Sequence, residues 1–261
     1  MIREFICGFL IGLANLVPGI SGGTIAVVLG IYEKLIMAIV GILKLKFSKD
    51  QLKMVSFVGA GLVISIVLGS KFVNWSLNHA AGFTYAAFFG FVVGTVPFLA
   101  KQLGKIKIHY IVFGIIIFLF LEYSSISFNT SKFLFPVVGF ISAFAMVIPG
   151  LSGSLVMLIF GVYNDVLSAV SSMKIDLLFL FGFGAIFGLI FASIFMKYLF
   201  EKFLVQTRNF IFGLVIASLL KIQPFDKQSF SLYGYLCVMV VIIITGLASF
   251  QLAKSSKLEQ G

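Results

Sequence analysis

Leu16-Val17-Pro18-Gly19-Ile20-Ser21-Gly22-Gly23-Thr24 interrupts an otherwise apolar run, residues 5–43. The same interruption returns as Val147-Ile148-Pro149-Gly150-Leu151-Ser152-Gly153-Ser154 inside a second apolar run, residues 133–173. At an offset of 131, residues 18–32 align with 149–163 without a gap. Six of the fifteen positions are identical, where chance gives about one. At an offset of 123 the match continues. Gly59 and Gly61 meet Gly182 and Gly184, and Thr84, Phe89, Gly90 and Val92 meet Thr207, Phe212, Gly213 and Val215. The offset falls because the Lys-rich loop 44–53 is shorter in the second copy. The chain therefore reads as a duplication, residues 1–131 and 132–261, within one integral membrane domain.

Composition agrees. Of 261 residues, 61% are apolar and only 11% charged, against about 45–50% and 25% in soluble domains. A water-soluble globule of this length cannot hide that much apolar surface. A soluble enzyme, a disordered chain and a nucleic-acid-binding domain are excluded. The net charge of +10 marks cytoplasmic loops instead. Six runs suit spanning helices: 54–73, 83–100, 108–128, 177–197, 209–222 and 231–253. The N-terminal apolar stretch lacks a small-residue cleavage site and is read as retained. Cys7 and Cys237 lie in apolar runs at opposite ends, and His79 and His109 have no Glu nearby. No metal or other cofactor is expected.

Lys and Arg placement selects the topology. With a cytoplasmic N-terminus and re-entrant broken runs, only Lys71, Lys132, Lys174, Lys221 and Lys227 fall outside, and the other 14 of 19 fall inside. If the broken runs crossed the membrane, Lys44–Lys53 and Lys101–Lys107 would move outside and the bias would vanish. The expected fold is an all-α polytopic membrane protein of two inverted repeats. Each holds a re-entrant broken-helix hairpin and three spanning helices. Both termini are cytoplasmic, and loops 74–82 and 223–229 lie outside.

A backbone break inside hydrocarbon is tolerated only where protein buries it or it lines a polar cavity. Glycines let such a segment turn tightly and approach a ligand. Ser21, Thr24, Ser152 and Ser154 are expected to cap the half-helices that follow. Those N-termini would offer free N–H groups and partial positive charge to an anion. Asn15 is placed to satisfy amides freed by the first break. Lys34 and Arg208 are read either as interface anchors or as phosphate contacts. Glu33 and Asp165 are read either as interface acids or as sites for a coupling ion, H+ or Na+. The GxxxG pairs Gly8/Gly12, Gly90/Gly94 and Gly184/Gly188 are explained by close helix packing.

The stretch Val17-Pro18-Gly19-Ile20-Ser21-Gly22-Gly23-Thr24, with Tyr32-Glu33, and its echo at 148–163 resemble the bacterial polyprenyl-phosphate transporter family. The resemblance extends over nearly the whole chain in length, segment count and duplication. It implies a flippase in the cytoplasmic membrane that returns undecaprenyl phosphate from the outer to the cytoplasmic leaflet for cell-wall polymer synthesis. By match to the motif, the substrate-binding residues are Pro18, Gly19, Ser21, Gly22, Gly23 and Thr24, with Pro149, Gly150, Ser152, Gly153 and Ser154. The second copy has Asn164-Asp165 where the first has Glu33-Lys34, so the two hairpins need not play equal roles.

A small-anion channel or exchanger using the same broken helices is the alternative. A lipid phosphatase would need a nucleophile or general acid, usually His with Arg partners. Two unclustered His and two Arg do not supply one, and the chain is read as a non-enzyme.

Overall fold

The computed structural model describes residues 1–17, 19–124, 133–172 and 174–258. Pro18 lies outside the described residues. So do residues 125–128 of the third expected span and the 131/132 repeat boundary.

All regular structure among the described residues is helical. The first broken run forms α1 (Ile2–Asn15), α2 (Gly22–Val28) and α3 (Tyr32–Leu43). The second forms α6 (Leu134–Val147), α7 (Gly153–Ile159) and α8 (Tyr163–Ser171). Between them lie α4 (Lys49–Gln102) and α5 (Ile108–Tyr123). α9 (Ile175–Lys202), α10 (Leu204–Ile222) and α11 (Leu232–Leu258) close the chain. Among the described residues, four helices are long and apolar enough to cross a membrane: α4, α9, α10 and most of α11. The pair α2 and α3 qualifies together, but it is bent by 116°.

Local chemistry sets these boundaries. Ser48 and Gln51 form a reciprocal capping box that starts α4 after the Lys-rich turn. α2 and α7 end alike. Gly30 and Gly161 each sit at φ +70. Ile31 N–H donates back to Ala26 O and Val162 N–H to Met157 O, the closure of a Schellman motif.

One expectation fails. The loop at 74–82 is helical, and only Ala80 leaves helical geometry (φ −146, ψ 44). The stretch 70–79 has no Gly or Pro to stop the helix, and His79 stacks on Trp75 one turn earlier. Residues 49–79 therefore extend about 45 Å, beyond the ~30 Å hydrocarbon core. At the 123 offset Ala80 becomes Phe203, which separates α9 from α10 with nearly the same dihedrals (φ −134, ψ 42).

Packing follows the duplication. α1 lies on the first part of α4, and α6 lies on α9. Glycines make both contacts close. A Cβ on Gly8 would stand 2.0 Å from Val58 O, and one on Gly184 would stand 1.8 Å from Pro136 O. The last helix of each half crosses over. α5 packs on α10, with Gly213 against Ile111, and α11 packs on the second part of α4, with Gly90 against Ile242. α10 is the central helix: half of its most apolar window is buried, against about a fifth for α4, α9 and α11. Those three helices expose apolar side chains such as Phe179, Phe183 and Ile243. That surface suits lipid, not water.

Candidate functional site

The two interruptions touch each other. Gly150 N–H donates to Thr24 Oγ1 at 2.8 Å, and the Tyr32 hydroxyl donates to Val147 O at 2.7 Å. Gly19 and Gly150 occupy equivalent places at φ +84 and +90, where a side chain would be strained. A Cβ on Gly19 would also meet the Lys221 stem at 2.9 Å.

The hydroxyls are not used as expected. Ser21 and Ser152 stand at the N-caps of α2 and α7, yet neither accepts from the helix it precedes. Asn15 Oδ1 takes the Gly22 N–H at 2.9 Å instead, so a side chain from α1 bridges the break. Thr24 is occupied by Gly150, and Ser152 and Ser154 pair with each other at 2.6 Å. Ser21 Oγ is buried without a partner among the described residues. Gly22 and Gly153 do not face open space: a Cβ would meet Asn15 at 2.7 Å and Ser142 O at 2.9 Å.

Two cavities with polar side chains in otherwise apolar walls flank this junction. One, of about 330 Å³, is lined by Gly19 from the first motif and by Gly150, Ser152 and Ser154 from the second. Tyr85, Glu122, Tyr163, Lys221 and Lys227 complete its polar wall. Lys221 pairs with Glu122, and Lys227 stands 5.0 Å over the Tyr85 ring, a cation–π contact. The other cavity, of about 290 Å³, includes Tyr32, Glu33, Lys34, Phe98, Gln102 and Arg208 in its lining. Here Arg208 forks onto Glu33, Nε to Oε1 at 2.7 Å and Nη2 to Oε2 at 2.9 Å. Its Nη1 donates to Gln102 O at 3.1 Å.

The residues singled out from sequence thus divide. Gly19, Gly150, Ser152 and Ser154 line the Lys221 cavity. Glu33, Lys34 and Arg208 line the other. Thr24 and Gly23 face the second half, Thr24 through the Gly150 amide and Gly23 beside the Val147 carbonyl, while Ser21, Gly22, Pro149, Gly153 and Asp165 line neither cavity. Reading the sequence missed Glu122, Tyr85, Lys221 and Lys227. The duplication carried a signal for two of them, because the 123 offset places Tyr85 opposite Arg208 and Lys221 opposite Phe98. Among the described residues no cluster of His, Cys, Asp and Glu is fit to hold a metal.

Residues 11–235 match the family model described as VCA0040-like, undecaprenyl phosphate translocase-like. The chain belongs to this family. Two relatives are each named polyprenyl-phosphate transporter. The protein from Vibrio cholerae serotype O1 is 29% identical over 248 residues, covering 87% of this chain and 79% of its own length. That from Staphylococcus aureus is 29% identical over 269 aligned positions, covering 95% and 94%. No solved structure matches the chain significantly. As a member of the translocase-like family, the chain has several apolar helices suited to a multi-pass membrane protein.

Proposed function

We propose that this chain transports polyprenyl phosphate across the bacterial cytoplasmic membrane, from the outer to the cytoplasmic leaflet, returning the carrier for cell-wall polymer synthesis. The observation that carries the reading is the cavity where both duplicated motifs and two lysines converge: Gly19, Ser152, Ser154, Lys221 and Lys227. Burying an unpaired phosphate in hydrocarbon is prohibitive. This cavity supplies hydroxyls and ammonium groups beside an apolar exterior. The phosphate enters between Lys221 and Lys227 and displaces the Ser152–Ser154 hydrogen bond, since either hydroxyl then donates to it. The tail stays in lipid along the exposed apolar helix faces.

The topology we propose is two inverted repeats with both termini cytoplasmic. Its support is the 14-to-5 division of Lys and Arg, the repeated break at Ala80 and Phe203, and the crossed packing of α5 and α11. In that orientation the Lys221 cavity faces outward and the Arg208 cavity faces the cytoplasm. Glu33 is the acid we assign to a coupling ion, H+ or Na+, because it already sits in a cavity beside the cation the substrate would need.

The test is leaflet exchange of labelled polyprenyl phosphate by the purified protein in liposomes, with chloride flux measured in parallel. Exchange without chloride flux is expected. Chloride flux in lipid lacking polyprenyl phosphate, with no exchange, would make the chain an anion pathway.

A further inference from the structure

The two cavities correspond to one another when the duplication is applied to their walls. Val27 and Tyr32 of the Arg208 cavity occupy the places of Leu158 and Tyr163 in the Lys221 cavity. Phe98 takes the place of Lys221, and Arg208 that of Tyr85. Of these two related positions, one bears the cation and the other an aromatic ring, in opposite order at the two cavities. Each cavity also holds the same charge set: a glutamate on a cation (Glu33 on Arg208, Glu122 on Lys221) and a second lysine (Lys34, Lys227). The glutamates do not come from the duplication. The counterpart of Glu33 is Asn164, and at the 123 offset that of Glu122 is Thr245. Unrelated positions therefore deliver a carboxylate to the cation of each cavity.

We infer that both cavities are sites for the phosphate monoester head group, and that each glutamate is a resident occupant which the phosphate displaces. The identity of the lipid rests on the transport reading above. Carboxylate and phosphate oxygens both match a guanidinium fork. A phosphate monoester carries about −1.5 to −2 charge at neutral pH, so one cation does not neutralise it. With the glutamate turned away, Arg208 and Lys34 supply two positive charges at one cavity, and Lys221 and Lys227 supply two at the other. With the glutamate in place, neither cavity presents two bare cations. The pairs are partly open, with side-chain exposures of 32% and 36% for Arg208 and Glu33 and 39% and 17% for Lys221 and Glu122. Exchange of partners there needs no unfolding.

The experiment is equilibrium binding of a labelled short-chain prenyl monophosphate to the full chain in detergent, with the prenyl alcohol as control. Two sites per chain are expected. Arg208→Gln should remove one and Lys221→Gln the other. Glu33→Gln should tighten the Arg208 site by about tenfold, as loss of a charged competitor, and Glu122→Gln should tighten the other. A glutamate that merely tethers helices would give the opposite sign: weaker binding and poorer folding. If Arg208→Gln does not fold, Arg208→Lys keeps the charge without the fork and should weaken that site alone by about tenfold. A single site per chain, unmoved by Arg208→Lys and Glu33→Gln, overturns the inference and leaves transport through the Lys221 cavity standing. No binding of the monophosphate by the wild-type chain, together with no leaflet exchange, sinks the transport reading as well.

Discussion

The Tyr32 hydroxyl donates to the carbonyl of Val147 at 2.7 Å, joining the start of α3 to the end of α6 across 115 residues of sequence. Together with Gly150 N–H on Thr24 Oγ1, it clamps the first broken run to the second. Thr24 is 2% exposed, so water cannot replace a lost partner. Thr24→Val should leave the Gly150 amide unsatisfied and cost about 1–3 kcal/mol. Tyr32→Phe should cost a similar amount at the Val147 carbonyl. Thermal unfolding in detergent, followed by the emission of Trp75, should show both losses. No change in either variant would mean the halves are held elsewhere.

The glycines separate into two classes that mutation should distinguish. Gly184→Ala would place a Cβ 1.8 Å from Pro136 O. α6 and α9 would have to part, and we expect a loss of several kcal/mol or no folded protein. Gly59 and Gly182 meet nothing within 4 Å and lie inside helices. Gly59→Ala and Gly182→Ala should each stabilise by about 0.5–1 kcal/mol. Expression and melting of the three variants would check this.

Transport should respond most to residues that line the Lys221 cavity. Ser152→Ala or Ser154→Ala removes one of several hydrogen-bond donors to a charged group, each worth about 1.5–3 kcal/mol, so leaflet exchange should slow by about tenfold with folding intact. Gly19→Ala should do more. It strains a residue at φ +84 and drives a methyl into the Lys221 stem. Gly22→Val and Gly153→Val should also stop transport, by disrupting the breaks themselves: the added side chains strike Asn15 and Ser142. Wild-type exchange in Gly19→Ala and Gly153→Val would place the head-group path elsewhere.

Topology is open to cysteine labelling. Cys7 is buried and Cys237 exposed, so both are first replaced by Ala. Single cysteines at 46 and 105 should react only from the cytoplasmic side, and one at 227 only from outside. Outside labelling at 46 would overturn the inverted arrangement.

The motif was legible because it occurs twice: Pro-Gly-x-Ser-Gly at a fixed offset marks a backbone break whatever surrounds it. Two such breaks at corresponding places also point to one shared region, and the Thr24–Gly150 contact brings the copies together. The Glu33–Arg208 fork was not legible. Its members are 175 residues apart, on elements whose relative placement no local pattern encodes. Arg208 taken alone reads more readily as an interface anchor. The capping role of Ser21 and Ser152 misled for a local reason. Asn15, six residues before Ser21, takes the first amide of α2 with its longer side chain, and Ser152 pairs with Ser154 instead of capping α7. The helical course of 74–82 was obscured by its polar residues, which suggested a loop although they carry no helix breaker before Gly82.

The crossed packing bears on how the protein is made. α5 leaves the ribosome with Gly114 ready to receive the backbone of Phe210, which has not yet been synthesised. At about 5–20 residues per second, α5 waits roughly 5–20 s for α10, and the second part of α4 waits longer still for α11. The first half cannot mature on its own during that interval. A nascent chain stalled after α9 would hold two helices, α5 and the second part of α4, without their packing partners.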